Sequence, residues 1–184
     1  MKELALHILD ILQNSIAAKA TLIRLNINES IKKDELVIIV QDDGFGMDEE
    51  TLKRVTDPFF TSRTIRKVGL GIPLLKQAAE ECEGLLTIDS KVNEGTVLKV
   101  VFQHSHIDRA PLGNISETIC TILLSGKDFE FEYGHCTDNG QMKFSTIDIK
   151  KVLKETPITH PDVIAWIRDN VNSELKLIGA SATV

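Results

Sequence analysis

A glycine-bearing polar turn, QDDGFGM at residues 41–47, constrains this chain more than any other stretch. It directly follows residues 36–40, the most strand-like run in the sequence, so we predict that a buried strand ends in this turn. Gly44 and Gly46 open backbone conformations that are closed to other residues and let a ligand lie close to the main chain. An ionised Asp42 at the end of the strand can only accept hydrogen bonds, which suits recognition of an exocyclic amine such as that of adenine. An ordinary turn with an aspartate hydrogen bond is the alternative interpretation.

Residues 2–20 are predicted to form an amphipathic helix, because their apolar side chains recur at helical spacing. His7, Asp10 and Asn14 lie at positions i, i+3 and i+7 of this helix, within a sector roughly 60° wide. Asp10 and Asn14 therefore face the same side and can meet one ligand together. A solvated helix face is the plainer alternative.

A second pair of glycines, in the run Gly69-Leu70-Gly71, precedes another helical pattern. The unpaired amides at the start of a helix, together with the helix dipole, form an anion site, so phosphates can bind there. Close packing of the helix is an equally good explanation of the glycines. A short basic loop that contains Arg63 and Lys67 stands just before them.

The composition narrows the class of partner. With 21 basic and 27 acidic residues among 184, the net charge of −6 argues against nucleic acid or an anionic membrane as the main partner. Residues 1–20 are too polar for a signal peptide or a membrane span, so we expect a cytoplasmic protein. Three widely spaced cysteines indicate reduced thiols rather than a disulfide framework.

Five motifs occur in order along residues 1–103: the helix with Asp10 and Asn14, the Asp42 turn, Phe59-Phe60-Thr61, Gly69-Leu70-Gly71 and Gly95-Thr96. In this order and spacing the segment resembles the ATP-binding domain of the superfamily of gyrase, heat-shock chaperones, histidine kinases and MutL. Residues 57–63 most resemble the histidine-kinase branch, whereas residues 14–20 are similar to the gyrase and MutL side. The resemblance implies a Bergerat-type ATP-binding fold, which is a two-layer α/β (α+β) sandwich with a mixed sheet.

The resemblance also implies a role for each matching position. Asp42 would bind the adenine amine, and Asn14 would coordinate a Mg²⁺ ion that bridges the phosphates. Asp10 falls where family members that hydrolyse ATP carry a glutamate that activates water, and it is one methylene shorter. Arg63 and Lys67 would stabilise the transferring phosphoryl group, with a solvated charge cluster as an equal alternative. The other nucleotide contacts that it implies are Gly44, Gly46, Met47, Phe60, Thr61, Gly69, Leu70, Gly71 and Thr96.

Two features depart from the histidine-kinase pattern. Lys67 stands where those kinases usually carry the first glycine of the phosphate motif, and the loop between Thr61 and Gly69 is very short. The chain also begins almost at the nucleotide-binding helix, so we expect no upstream hairpin with a phosphoacceptor histidine. A kinase of this kind is then expected to act on a separate protein.

Residues 104–184 are predicted to form a small C-terminal α/β annex of unknown role, following a nucleotide-binding domain at residues 1–103. The patterns predict a helix, a hairpin whose strands are residues 129–133 and 142–147, and two short helices. The annex is either an addition to the main sheet or a small docking domain.

Several residues of this annex are singled out by their chemistry. Trp166 shares helical spacing with apolar neighbours, so we expect it to pack in the core. The spacing of the histidines and the cysteine matches no standard zinc motif, and we expect separate surface histidines and a partly buried thiol. These residues are His104, His106, His135 and Cys136.

Two functional hypotheses remain open, and both require ATP. The first is a Mg²⁺- and ATP-dependent ATPase or protein kinase of the histidine-kinase-like class, in which Asp10 is the candidate base. The second is a non-catalytic module in which bound nucleotide regulates docking to a protein partner. The shorter Asp10 side chain and the short loop favour the second hypothesis, whereas the basic loop and Asn14 favour the first.

Overall fold

The computed structural model describes residues 3–57 and 70–182. Within those residues the chain forms six helices and six strands, and the strands join in one mixed sheet. The elements are α1 (Leu4–Ala17), β1 (Leu22–Ser30), β2 (Glu35–Asp42), α2 (Glu49–Arg54), α3 (Gly71–Glu80), β3 (Leu85–Lys91), β4 (Gly95–Gln103), α4 (Ile115–Leu123), β5 (Glu130–Thr137), β6 (Gly140–Ser145), α5 (Thr146–Leu153) and α6 (Pro161–Leu177). In these two ranges no helix combines the length and the apolar character that crossing a membrane requires.

One face of the sheet is buried and the other faces solvent. Leu25, Val40, Leu98 and Tyr133 form one row across β1, β2, β4 and β5, and all four are buried. Successive side chains of a strand point to opposite faces, so Lys99, next to Leu98, is exposed. Apolar residues of α1, α3, α4 and α6 join the same core. The predicted two-layer α/β sandwich with a mixed sheet is therefore confirmed.

The second half of the chain extends the same sheet. The strand order is β3-β4-β2-β1-β5-β6. β5 pairs in parallel with β1, beginning with Leu22 opposite Glu130, and β6 then pairs antiparallel with β5. The strands of residues 104–184 are thus an addition to the main sheet, while the division into two domains at residue 103 stays a prediction.

Two details of this half differ from what the sequence patterns predict. The return strand was predicted to reach Ile147, but β6 ends at Ser145 and α5 begins at Thr146. The Oγ1 atom of Thr146 accepts a hydrogen bond of 2.8 Å from the N–H of Phe131, which fixes this corner to β5. Trp166 does not pack in the core, because its side chain is 54% exposed. The buried stripe of α6 consists of Ile164, Ile167, Val171 and Leu175.

His135 is also a correction, because it is buried rather than a surface histidine. Its Nε2 atom lies 2.7 Å from Oε1 of Glu29, and its Nδ1 atom lies 2.5 Å from the hydroxyl of Tyr133. The N–H of Ser181 donates to the same Glu29 oxygen over 3.0 Å. A buried polar network therefore joins β1, β5 and the segment after α6. No group of three or more possible metal ligands occurs in the described part of the chain.

Replacement of Glu29 with glutamine is expected to destabilise the fold by about 2 kcal/mol at neutral pH, the range for hydrogen bonds to a buried charge. Burial acts to raise the pKa of Glu29, but hydrogen bonds from His135 and Ser181 outweigh it and lower the pKa from 4.5 to about 2. Because the folded-state pKa is depressed, this stabilisation is present above about pH 4.5 and is lost as the pH falls towards about 2. Urea denaturation at several pH values should therefore show the difference between wild type and Glu29→Gln shrinking across that window.

Glu132→Gln is the matched control for Glu29→Gln. Glu132 pairs with Arg24 on the solvent-facing side of the sheet, where both side chains are more than a third exposed. Its replacement should cost less than about 1 kcal/mol. An equal loss of stability from Glu29→Gln at pH 7 and at pH 2.5 would contradict the role of the buried charge.

Candidate functional site

The predicted nucleotide contacts that the structure describes gather at one end of the sheet. β2 ends there at Asp42, and β4 begins there at Gly95. Asp42 stands directly opposite Thr96 in the β2–β4 register, so two residues that are far apart in the sequence become neighbours. Together with Asp10, Asn14 and Gly71, they form what we call the sheet-end site.

Asp42 is held by two donors from different elements. The hydroxyl of Ser15, on α1, donates to Oδ2 over 2.6 Å. The N–H of Gly44 donates to Oδ1 over 3.0 Å, which is the turn hydrogen bond that the plainer interpretation requires. Each carboxylate oxygen has two acceptor sites, so Asp42 can still accept a further donor from a ligand. Asp42 is only 8% exposed. Because it is buried and held by these two hydrogen bonds, its orientation is fixed.

Asp43 points away from the sheet-end site. Its carboxylate accepts hydrogen bonds of 2.7 and 2.9 Å from the backbone N–H groups of Thr21 and Leu22 at the start of β1. Burial acts to raise the pKa of Asp43, but a hydrogen bond from the hydroxyl of Thr21, together with these two, outweighs it and lowers the pKa. Of the two adjacent carboxylates, Asp42 is thus the one that faces the site, and Asp43 anchors the neighbouring strand.

Two glycines are required by contacts within the protein. Gly46 has a φ of +65°, and a Cβ atom there would lie 2.0 Å from the carbonyl oxygen of Lys91. Gly95 has a φ of +100°, and its Cβ atom would lie 2.0 Å from the carbonyl oxygen of Asp42. Any side chain at either position would collide with the backbone of the adjoining segment. The turn and the β3–β4 hairpin are therefore packed directly against each other.

A serine on β3 ties this hairpin to the turn. The Oγ atom of Ser90 accepts a hydrogen bond of 2.9 Å from the N–H of Met47. The same hydroxyl lies 2.9 Å from the carbonyl oxygen of Gly95 and 3.0 Å from Oγ1 of Thr96. Ser90 thus positions both Met47 and Thr96, two of the predicted ligand contacts.

The opposite side of the sheet-end site lies between α1 and α3. A Cβ atom added to Gly71 would lie 3.1 Å from the Cβ of Asp10 and 3.5 Å from its Oδ2. The first residue of α3 therefore touches Asp10, and a larger side chain there would press against α1. The residue before this helix is Leu70, whose side chain cannot cap the first amides. The start of α3 thus offers N–H groups beside a carboxylate.

Helix α1 spans the whole site. Ser15 contacts Asp42 at one end, and Asp10 contacts the start of α3 at the other. Asn14 lies one turn beyond Asp10, about 6 Å along the helix axis. Five predicted site residues, Phe60, Thr61, Arg63, Lys67 and Gly69, lie outside the described residues.

Sequence patterns miss two residues of the site, Ser15 and Ser90. Ser15 is buried on the apolar side of α1. A buried hydroxyl needs a hydrogen-bond partner, so a serine within the apolar stripe of a helix signals such a contact without naming the partner. Ser90 lies in the ordinary alternation of β3 and gives no signal of its own.

Comparisons with known proteins identify the family and the fold. A sequence profile described as "Histidine kinase-, DNA gyrase B-, and HSP90-like ATPase" matches residues 2–106. Sporulation kinase C of Bacillus subtilis is 32% identical over 93 residues, which are 50% of this chain and 22% of that protein. A putative sensor protein of Shewanella frigidimarina is 34% identical over 77 residues, which are 41% of this chain and 12% of that protein. The chain thus spans well under a third of the length of these relatives.

A solved structure of similar fold is the N-terminal domain of a DNA repair protein. It superposes with a TM-score of 0.57 at 15% sequence identity, covering 86% of this chain and 59% of the other. This likeness concerns the fold alone. It extends well past residue 106, so part of the C-terminal half also has a counterpart there.

Proposed function

Since the chain belongs to the family of histidine kinase-, DNA gyrase B- and HSP90-like ATPases, we propose that its sheet-end site binds Mg·ATP. We further propose that it serves in the cytoplasm as a histidine-kinase-like ATPase or protein kinase acting on a separate partner protein. The observation that carries the proposal is the placement of a fixed acceptor, Asp42, at one end of α1 and a glycine-started helix beside Asp10 at the other. ATP needs both features at once, the acceptor for its adenine amine and the start of the helix for its phosphates.

The adenine end is formed by Asp42 and its supports. The exocyclic amine of adenine donates hydrogen bonds, and Asp42 is a charged acceptor with its orientation set by Ser15 and Gly44. Thr96 stands opposite it, and its hydroxyl is held by Ser90. The protein therefore presents the acceptor in place before the ligand arrives, which reduces the ordering cost of binding.

The phosphate end is formed by α1 and the start of α3. Backbone N–H groups and the positive end of the α3 dipole favour anionic oxygens. The carboxamide oxygen of Asn14 is a ligand of the kind that Mg²⁺ takes beside phosphate, and the carboxylate of Asp10 lies one helical turn away. These residues fit a magnesium ion, which would neutralise phosphate charge when bound. Asp10 would hold or accept a proton on its carboxylate.

The regulated docking module is kept as a second candidate because of one chain of hydrogen bonds. The N–H of Thr21 donates to Asp43, next to Asp42, over 2.7 Å. The carbonyl oxygen of Thr21 in turn accepts a hydrogen bond of 2.8 Å from the N–H of Glu130, the first residue of β5. The nucleotide turn is thereby connected to the C-terminal half through Thr21, the residue that precedes β1.

Calorimetric titration with ATP tests the proposed function. We expect one ATP to bind per chain, with affinity at least roughly 10-fold higher in the presence of Mg²⁺ because of the phosphate charge it neutralises. GTP is the matched control ligand. It carries a carbonyl oxygen in place of the exocyclic amine, so it would set an acceptor against Asp42 and should bind roughly 100-fold more weakly. Equal binding of ATP and GTP, or no binding of ATP, would refute the proposed site.

Ser15→Ala is expected to weaken ATP binding by roughly 5-fold, about 1 kcal/mol, because it removes one of the two hydrogen bonds that orient Asp42. The same titration measures this loss. Ser173→Ala is the control, since that hydroxyl lies on α6 and donates to the carbonyl oxygen of Asp169, four residues earlier in the helix. An ATP affinity in Ser15→Ala equal to that of the control would show that Asp42 needs no such support.

A further inference from the structure

A cavity of about 200 Å³ lies behind the sheet-end site. Its walls come from the first half of α1, from α3, and from the end of β4 with the segment that follows it. None of its lining residues belongs to the sheet-end site. Its apolar lining residues are Leu4, Leu74, Ala78, Phe102 and Ala110, of which Leu4 and Phe102 are fully buried.

One lining side chain is a buried histidine without a full set of partners. His7 is 3% exposed, and its Nδ1 atom has no hydrogen-bond partner within residues 3–57 and 70–182. Burial lowers the pKa of His7, although the charge of Asp10 acts in the opposite direction, so the ring is neutral near pH 7. A buried polar group left unpaired costs about 1–3 kcal/mol, and native proteins rarely carry one without a use.

The mouth of the cavity is acidic. Glu81 and Asp108 both line it, from the end of α3 and from the segment after β4. Glu81 accepts a hydrogen bond of 2.8 Å from the side chain of Gln77, which holds the carboxylate in place. The Oδ2 atom of Asp108 lies 4.0 Å from Nδ1 of His106, and the Asp108 side chain is largely exposed.

The same negative charge affects the pKa of the neighbouring Cys82 thiol. Burial raises its pKa, and the carboxylates of Asp108 and Glu81 raise it further. Arg109 acts in the opposite direction, but its guanidinium is committed to the carbonyl oxygens of His104 and Ala110. Two carboxylates against one guanidinium leave the mouth with a net negative charge, which suits a positive group.

We propose that this cavity is a binding site for a small aromatic cation, such as an aryl amidine or aryl amine. The volume suits one ring with a short substituent, since a cavity of about 150 Å³ takes up benzene. The ring would pack against Leu74 and Phe102, and the cationic group would lie at the mouth between Glu81 and Asp108. His7 would gain a hydrogen-bond partner from the ligand.

Occupancy is also expected to affect the sheet-end site, and this second step rests on the proposed function. The cavity is lined by α1 at His7 and by α3 at Leu74, one turn from Asp10 and from Gly71 respectively. A ligand that separates or tightens the two helices would change the space between Asp10 and Gly71. We therefore expect a change of at least 3-fold in ATP affinity, roughly 0.7 kcal/mol of coupling.

Benzamidine is the probe, and two-dimensional NMR of the full chain is the measurement. We expect saturable shifts at His7 and along residues 74–81, with a Kd of about 1 mM, as for a one-ring ligand. Glu81→Gln combined with Asp108→Asn should weaken binding by roughly 10-fold. Glu80→Gln, on the same helix but outside the cavity, should leave it unchanged. Ala78→Leu fills the cavity and should abolish binding.

Three results would overturn the proposal. They are the absence of saturable shifts around His7, equal binding by the double variant and the Glu80 control, and shifts confined to residues 42–47, where the amidine would be pairing with Asp42. An ATP titration with and without benzamidine separates the two proposals. Benzamidine binding at His7 in a protein that binds no ATP would support the cavity site while refuting the proposed function.

Discussion

Asp42→Asn is expected to weaken ATP binding by roughly 100-fold, about 2.7 kcal/mol. Asparagine removes the charge and replaces one acceptor oxygen with an NH₂ donor. In one orientation this donor meets the N–H of Gly44, and in the other it meets the hydroxyl of Ser15, which would have to turn round. Either way the charged acceptor for the adenine amine is lost. Calorimetric titration with Mg·ATP measures the loss.

Asp43→Asn distinguishes a loss of ATP recognition by Asp42 from a loss of folding of the turn. Asp43 is the adjacent residue and also accepts hydrogen bonds, but from Thr21 and Leu22 at the start of β1. Its replacement should lower the free energy of unfolding by about 1 kcal/mol while leaving ATP affinity within roughly 3-fold. If both variants lose ATP binding equally, the effect belongs to the folding of the turn and not to recognition by Asp42.

Asp10→Asn is expected to lower ATP turnover by at least roughly 100-fold, because an asparagine side chain cannot accept a proton as a general base. Asp10 lies against Gly71 at the start of α3, beside the proposed phosphate position. The affinity for Mg·ATP should stay within roughly 3-fold of that of wild type, since asparagine has the same length as aspartate and keeps a side-chain oxygen. Release of phosphate under single-turnover conditions measures the first quantity, and calorimetry measures the second.

Asp10→Glu is the companion variant. It keeps the carboxylate and lengthens the side chain by one methylene, to the length of the glutamate that the family resemblance implies at this position. We expect turnover equal to or above that of wild type. Turnover of Asp10→Asn equal to that of wild type would remove Asp10 from the catalytic role.

The elements that carry the sheet-end site could be predicted because their signals are local. Ile23, Leu25 and Ile27 alternate inward along β1, and the polar turn follows directly on β2. α1 is recognisable from its own spacing. The small residues at the end of α1 allow the glycine turn to pack closely against it, since a Cβ atom on Gly44 would lie 2.8 Å from the Cβ atom of Ala18.

Contacts between distant parts of the chain could not be predicted in the same way. The partner of Ser15 is 27 residues away, and no periodicity in α1 names it. The burial of His135 depends on Glu29, 106 residues earlier, and on the parallel pairing of β1 with β5. Trp166 shows the converse case, because it shares helical spacing with Ile164 and Ile167, which are buried, and yet lies outside the buried stripe of α6.

The parallel β1–β5 pair affects how the chain folds while it is being synthesised. Arg24 and Glu132, which meet across it, are 108 residues apart, so the ribosome completes β1 through β4 long before β5 exists. At about 5–20 residues per second, one edge of β1 waits roughly 5–20 s with its backbone groups unpaired. An open strand edge is a template for pairing with other chains. The nascent protein therefore passes through an interval of aggregation risk, which closes only when β5 emerges and docks.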